Sequence, residues 1–400
     1  MSTSKQYDYI IVGAGIIGLA LALKLTRRFS NPKILIIEKE PAVGLHASGR
    51  NSGVLHAGFY YSADSLKAQL CVKGNKELRA YCKEKSLPLN ECGKLVVASY
   101  ESELPALREL HRRGIVNGAQ VELISEADAR KLEPNVHTCG EALYSPHTAT
   151  SDPARVAQTL KSDLEKVGVE ILCDCRFLRH QDNVIFTSQG TFEAGKLINC
   201  AGLYADKIAQ QFGFGMNYTI IPFKGLYLKY KKNKSDVRMN IYPVPNPKYP
   251  FLGVHFTKTV DGTIKIGPTA IPALWRENYA GLKGFDLGEF FDIGMWESRL
   301  FLSNAFNFRT LALTEVRKYW RSYLIRLSQL LIPNIDPHGF GDFAPPGIRS
   351  QLLNVKTKEL VQDFIVEGDT KSVHVLNAVS PGWTCSLPFA DYIIDTFLHA

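Results

Sequence analysis

With 400 residues, of which 45% are hydrophobic, the chain suits two domains, or one large domain with insertions, around a sizeable core. Its formal net charge of +8 is spread along the chain without a nucleic-acid-binding motif, which excludes nucleic acid and leaves anionic small molecules or an anionic membrane surface as partners. No apolar run approaches the roughly 20 residues of a membrane-spanning helix and "MSTSKQYDYI" lacks a signal-peptide core, so a cytoplasmic place is expected.

The chain opens with "YDYIIVGAGIIGLALALKL": an apolar strand from Tyr9 to Val12, a turn at Gly13, Gly15 and Gly18, and an Ala/Leu helix entered through Ile16 and Ile17. Gly13 permits the tight turn, Gly15 lets phosphate approach the backbone, and Gly18 lets helix and strand pack closely, so the helix N-terminus faces a pyrophosphate. A second strand, "KILIIE", ends in Glu38, placed to accept hydrogen bonds from ribose hydroxyls, with Lys39 beside it. This is a dinucleotide fingerprint and predicts an α/β fold built on a Rossmann-like domain. NAD and FAD both use it.

Three later features favour FAD. Directly after Glu38, "SGRNSGVLHAGFYYSADSLKAQL" places Ser48, Arg50, Asn51 and Ser52 as donors to phosphate and flavin, Gly49 and Gly53 as close-approach positions, and His56 as a ring-facing side chain. Further on, turns at Gln181–Asn183 and Gln189–Gly190 lead into a buried strand, Lys196–Cys200, that ends at Ala201–Gly202 beside the first strand. The chain closes as strand, Pro-Gly turn and helix, with Gly382, Trp383 and Thr384 at a helix N-terminus suited to a reduced flavin's negative charge.

Between these parts, Phe223–Tyr230, Arg238–Tyr242, Gly253–Thr257 and Thr263–Gly267 alternate like antiparallel strands, with a turn at Asp261–Gly262. Within 301–335, "LTEVRKYWRSYLIRLSQLLIP" reads as one basic amphipathic helix carrying Arg317, Lys318, Arg321 and Arg326. Eight cysteines show neither metal-ligand nor disulfide-framework spacing; they are expected reduced, with no metal, and Cys173 and Cys175 are expected to share one face of a strand.

"NSGVLHAGFYYSADSLKAQLCVKG", "CGKLVVA", "NIYPVPNPKYPFLGVHFT", "KIGPTA" and "VLNAVSP" together resemble the L-2-hydroxyglutarate dehydrogenase/oxidase family of D-amino-acid-oxidase-like flavoproteins over nearly the whole chain. The resemblance implies non-covalent FAD and oxidation of the 2-hydroxyl of a short dicarboxylate, with electrons passed to a quinone or to oxygen. The family usually carries His at Arg50, Arg at Lys224, and a Pro-Ala-Ala-type run where Ser380–Thr384 stand, departures that bear on the substrate pocket. His46, near where related amine-oxidising flavoproteins tether FAD, is read as a pyrophosphate-loop residue without a covalent bond.

Oxidising a 2-hydroxy acid needs a base for the hydroxyl proton and cations for the carboxylates. His56 and His255 are the candidate bases, Arg349 a bidentate carboxylate clamp, and Lys224 a second point charge, with Tyr60, Tyr61 and Tyr242 as hydroxyl donors of which one reaches substrate. The expected architecture is a discontinuous FAD domain, 1–80, 142–215 and 341–400, with a substrate cap of 81–141 and 216–340. Rival readings are an amine or amino-acid oxidase of the same fold and a membrane-associated flavin electron-transfer protein. The basic helix offers peripheral placement on an inner membrane.

Overall fold

A computed structural model describes residues 5–245 and 251–398; part of the quoted "NIYPVPNPKYPFLGVHFT" segment, 246–250, lies outside them. The chain is mixed α/β and divides into two compact units: Met1–Asn51, Pro153–Ile220 and Ser350–Ala400 form one, Ser52–Asp152 and Ile221–Arg349 the other.

In the first unit, β1 (Lys5–Val12) runs parallel to β2 (Ile34–Ile37) on one side and to Gly190–Asn199 on the other, with Tyr9 opposite both Ile34 and Lys196. Glu170–Leu172 extends the sheet beyond β2, and Ser372–Asn377 lies parallel to Gly190–Asn199. All four β2 residues, Ile-Leu-Ile-Ile, are buried, as expected of a parallel strand covered on both faces. The helix α1 (Ile16–Arg28) supplies part of that cover through a wide Ala/Leu face, and Arg27 and Arg28 in its last turn complement the helix dipole. It packs against the helices Pro153–Lys166 and Gly382–Phe397. The turns expected near Gln181–Asn183 and Gln189–Gly190 close two consecutive hairpins, with Asp182 and Gly190 at positive φ. Cys173 and Cys175 depart from expectation: their strand ends at Leu172, and Asp174 turns the chain at φ 55°. Cys173 is consequently partly exposed while Cys175 is buried. All eight cysteines are free thiols.

The second unit is built on an eight-stranded sheet in the order Phe340–Phe343, Leu228–Tyr230, Ile264–Gly267, His255–Lys258, Asn240–Pro243, Lys94–Val97, Glu141–Ser145 and Glu122–Ser125. Its residues alternate between two cores. Leu95 and Val97 join Ile241 and Phe256 on one face, whereas Val96 and Tyr242 join Phe59 on the other. The expected turn at Asp261–Gly262 joins two of these strands; Gly262 takes φ +78°, and the Asp261 carboxylate accepts from the Thr263 backbone N–H and hydroxyl.

Two expectations are corrected here. The segment 223–230 is two strands, because the Leu226 N–H turns aside to the Thr269 hydroxyl at 3.0 Å and breaks the ladder. The segment within 301–335 holds two short helices, Phe308–Arg317 and Arg321–Ser328, with Lys318–Trp320 between them. Lys318 is no surface cation: it is buried in an ion pair with Glu315. The exposed apolar stripe lies instead on the preceding helix, Leu287–Ser303, where Leu287, Phe291, Met295 and Leu302 all face solvent.

Candidate active site

The first unit presents a cradle for a dinucleotide. Gly13 takes φ +104°, and a side-chain carbon there would meet the Cys200 carbonyl oxygen at 2.6 Å. One on Gly18 would meet the Gly13 carbonyl oxygen at 2.1 Å, so the α1 backbone sits as close to the turn as only glycine allows. Gly15 caps α1 with no side-chain hydrogen bond, and the Ser48 hydroxyl accepts from the Ile16 N–H at 2.8 Å. The Glu38 carboxylate is buried at the end of β2, where it accepts from the Ala14 and Glu40 backbone N–H groups at 2.8 and 3.0 Å. Lys39 and Glu40 hold His46 through its Nε2. Arg50 and Asn51 donate to the carbonyls of Leu45, Ala47 and Ser48 and so shape their own loop.

On the far side of β1, the Ala201 N–H is held by Asn199 and Gly202 lies at φ +55°. The C-terminal helix begins at Gly382 without a side-chain cap, and in its first turns Trp383 Nε1 and Ser386 Oγ are buried with no partner among the described residues. A strand–glycine turn–helix whose backbone would admit no side chain, a carboxylate after β2 and orphaned buried donors at a helix start fit a flavin dinucleotide.

The second unit gathers the expected substrate residues His56, His255, Arg349, Tyr60 and Tyr242. His255 Nδ1 lies 2.8 Å from the Gly253 carbonyl oxygen. A carbonyl only accepts, so Nδ1 carries the proton and Nε2 is left with its lone pair. Burial holds His255 down to about 3, against the Gly253 hydrogen bond, with smaller pushes from Lys94, Lys318 and Arg349. Burial likewise holds His56 well below the ordinary histidine range, helped by Lys94, His255 and Arg349. Both rings are neutral acceptors at physiological pH. The His56 backbone is fixed by Asn75, whose Nδ2 donates to the carbonyls of Leu55, His56 and His147.

Arg349 lies 4.9 Å above the Phe251 ring and no carboxylate pairs with it among the described residues. Lys224 Nζ donates to Asn278 Oδ1 at 2.9 Å and is not among the charges acting on either histidine. The Tyr60 hydroxyl is buried without a partner among the described residues, and the Tyr242 ring stacks on His255 with centroids 3.7 Å apart. Ser52 faces the Tyr227 hydroxyl.

Sequence reasoning missed Lys94 and Asn75. "CGKLVVA" entered only as one of the segments that carry the family resemblance, and a lone Lys among apolar residues is ordinarily an edge or surface position. Its one signal was its place on the strand: alternation puts residue 94 on the same face as the buried Val96. Asn75 sits on a helix, where its polarity carries no distinguishing mark.

The class is thus a flavin-binding oxidoreductase, and the chain belongs to the DAO family, FAD dependent oxidoreductase, whose family model matches residues 8–395. FAD is its cofactor. Among its relatives, the mitochondrial L-2-hydroxyglutarate dehydrogenase of Nematostella vectensis is 35% identical over 425 residues, covering 99% of this chain and 91% of that protein. The L-2-hydroxyglutarate dehydrogenase of Escherichia coli strain K12 is 32% identical over 398 residues, covering 98% and 93%. In fold, the chain is similar to dithionite-reduced L-alpha-glycerophosphate oxidase from Mycoplasma pneumoniae with FAD bound, with TM-score 0.78, 21% identity, and 99% and 96% of the two chains covered. Among the described residues no helix is long and apolar enough to cross a membrane.

Proposed function

We propose that the protein oxidises L-2-hydroxyglutarate, or a closely similar 2-hydroxy dicarboxylate, to the 2-oxo acid. The observation that carries this reading is the composition of the second unit's cluster. Two buried neutral imidazoles stand with Arg349 and Lys94, and the nearby carboxylate of Glu315 is already engaged by Lys318 and by the Ala270 N–H. A site with cations and, among the described residues, no free carboxylate suits an anionic substrate, and relatives that match nearly the whole chain carry the dehydrogenase name.

In this reading the unit containing β1 holds FAD without a covalent bond, through Gly13, Gly15, Ile16, Ile17, Gly18, Glu38, Lys39, Ser48, Gly49, Arg50, Asn51, Ala201, Gly202, Gly382, Trp383 and Thr384, with Ser52 beyond it. FAD supplies the two-electron acceptor. Arg349 binds a substrate carboxylate, with Lys224 as a second cation and Tyr60 as a hydroxyl donor. His255 Nε2 accepts the hydroxyl proton, because its Nδ1–H is committed to Gly253 and its burial keeps it neutral. His56 is the second acceptor in the same cluster.

Electrons leave to a quinone at an anionic membrane surface. The support is the Leu287–Ser303 helix, whose Leu287, Phe291 and Met295 recur every fourth residue and stay exposed, with Phe291 at 64%. Exposed Arg299, Arg309 and Arg317 on this helix and the next are suited to anionic headgroups.

The test is anaerobic mixing of the yellow protein with L-2-hydroxyglutarate, D-2-hydroxyglutarate, glycerol 3-phosphate and amino acids while the flavin's visible absorbance is followed. Bleaching by L-2-hydroxyglutarate in preference to the rest is expected. Bleaching by an amine or amino acid alone would replace the reading with an amine oxidase.

A further inference from the structure

Lys94 opens the strand Lys94–Val97, whose four residues are all buried, at a position where an apolar side chain would complete the core. Its ammonium nitrogen is fully buried and has no hydrogen-bond partner among the described residues. Rings surround it: Tyr242 at 3.9 Å, Tyr60 at 5.2 Å and Phe59 at 5.7 Å from centroid to nitrogen. Aromatic faces offset part of the cost of burying a cation, though less than a carboxylate would. A buried, unpaired lysine therefore calls for a role beyond packing.

The geometry around Tyr242 supplies one. A nitrogen 3.9 Å from the ring centroid cannot lie in the ring plane without striking ring carbons, so it sits over a face. The His255 imidazole stacks 3.7 Å from the same centroid at an interplanar angle of 19°. Ammonium and imidazole cannot share one face at those heights. They occupy opposite faces of a single phenol ring, in a column of ammonium, phenol and imidazole.

We propose that Lys94 is a positioning residue whose ammonium, set against one face of Tyr242, adds like-charge repulsion to the burial that keeps the imidazole on the other face unprotonated and ready to accept a proton at Nε2. The proposal rests on the oxidation proposed above, in which His255 takes the hydroxyl proton. A proton on His255 would face the Lys94 charge across about two ring thicknesses of low-dielectric interior, where repulsion between like charges is little screened. The other groups bearing on His255 are Lys318, from the end of the helix Phe308–Arg317, and Arg349, while His56 bears on the same cluster and the Gly253 carbonyl faces Nδ1. Around Lys94 stand the thiols of Cys71 and Cys92. Lys94 itself is brought down to about 7 by burial, so it carries its charge through the acidic range in which His255 would otherwise take a proton.

The experiment uses the FAD-loaded protein with isotopically labelled histidine, the His255 signal being assigned by its loss in His255→Gln. In the unaltered protein the His255 signal should shift slightly near the Lys94 midpoint at about pH 7, without ionising, and remain that of a neutral ring well into acid. In Lys94→Met, judged folded by flavin content and melting, its ionisation should move up by ~1 pH unit, with Lys94→Arg restoring the original midpoint. The acid limb of kcat/KM should move with it. An unchanged His255 midpoint in folded Lys94→Met overturns the proposal; should that variant not fold, a His255 signal indifferent to the pH 7 region in the unaltered protein overturns it equally. If the signals behave as expected while L-2-hydroxyglutarate fails to bleach the flavin, the oxidation fails and the Lys94–His255 coupling stands.

Discussion

Replacing Arg349 by alanine removes a guanidinium that no protein carboxylate satisfies among the described residues, so its natural counter-ion in the proposed reaction is the substrate. Burial already makes its charged form less favourable, which a bound carboxylate would relieve. A charge-assisted pair at such a site is worth about 1.5–3 kcal/mol, a loss of roughly 10- to 150-fold in kcat/KM for a dicarboxylate. Because Phe251 packs against the guanidinium, part of the loss in Arg349→Ala comes from an opened pocket. Arg349→Lys separates the two effects, since it restores a charge without the planar fork and should recover only part of the rate. The assay is steady-state flavin turnover with a quinone analogue, run at matched FAD occupancy. Wild-type kcat/KM in both variants would remove Arg349 from the site.

The Gly18→Ala variant should lose FAD and melt early, by about 1–3 kcal/mol in stability, because its new carbon would lie 2.1 Å from a backbone oxygen that cannot move aside; retained flavin and an unchanged melting temperature contradict this. Glu297 gives a pH-dependent expectation. Its Oε1 is buried without a partner among the described residues, and burial raises its pKa from 4.5 to about 8. The folded state thus holds a proton that the unfolded chain releases, so stability is full below about 4.5 and falls as pH rises through about 8. Glu297→Gln should accordingly stabilise by ~1–3 kcal/mol near pH 8 and by little near pH 4.5, read from denaturant melts at both; an equal gain at both pH values would be wrong for this mechanism. For the exposed stripe, Phe291→Ser with Met295→Ser should abolish salt-sensitive binding to phosphatidylglycerol vesicles while leaving flavin reduction by substrate intact. Absence of vesicle binding by the unaltered protein at low salt would sink the membrane reading.

Local chemistry made the first unit's turn legible. The strand–glycine–helix signature of 9–28 and the carboxylate at Glu38 lie close together in sequence, and glycine is dictated at 18 by the Gly13 carbonyl and at 13 by its own φ of +104°, so composition and spacing suffice to read them. The same holds for the Asp261–Gly262 turn, whose Asp caps its own hairpin. His56, His255 and Arg349 stood out because their side chains carry chemistry wherever they are placed.

What chemistry each performs was a tertiary decision. Nothing local to Lys94 announces that the neighbouring strand brings Tyr242 over it, or that Tyr242 is shared with His255; that column exists only because the strands Lys94–Val97 and Asn240–Pro243 pair in parallel from distant parts of the chain. The basic segment near 308–328 misled in the same way, since helical periodicity is visible in sequence but the Glu315 partner that draws Lys318 inside depends on packing. Residue type fixes which protons and charges a chain can offer, whereas burial and long-range register decide which of them remain neutral, which are paired, and which are left for a substrate.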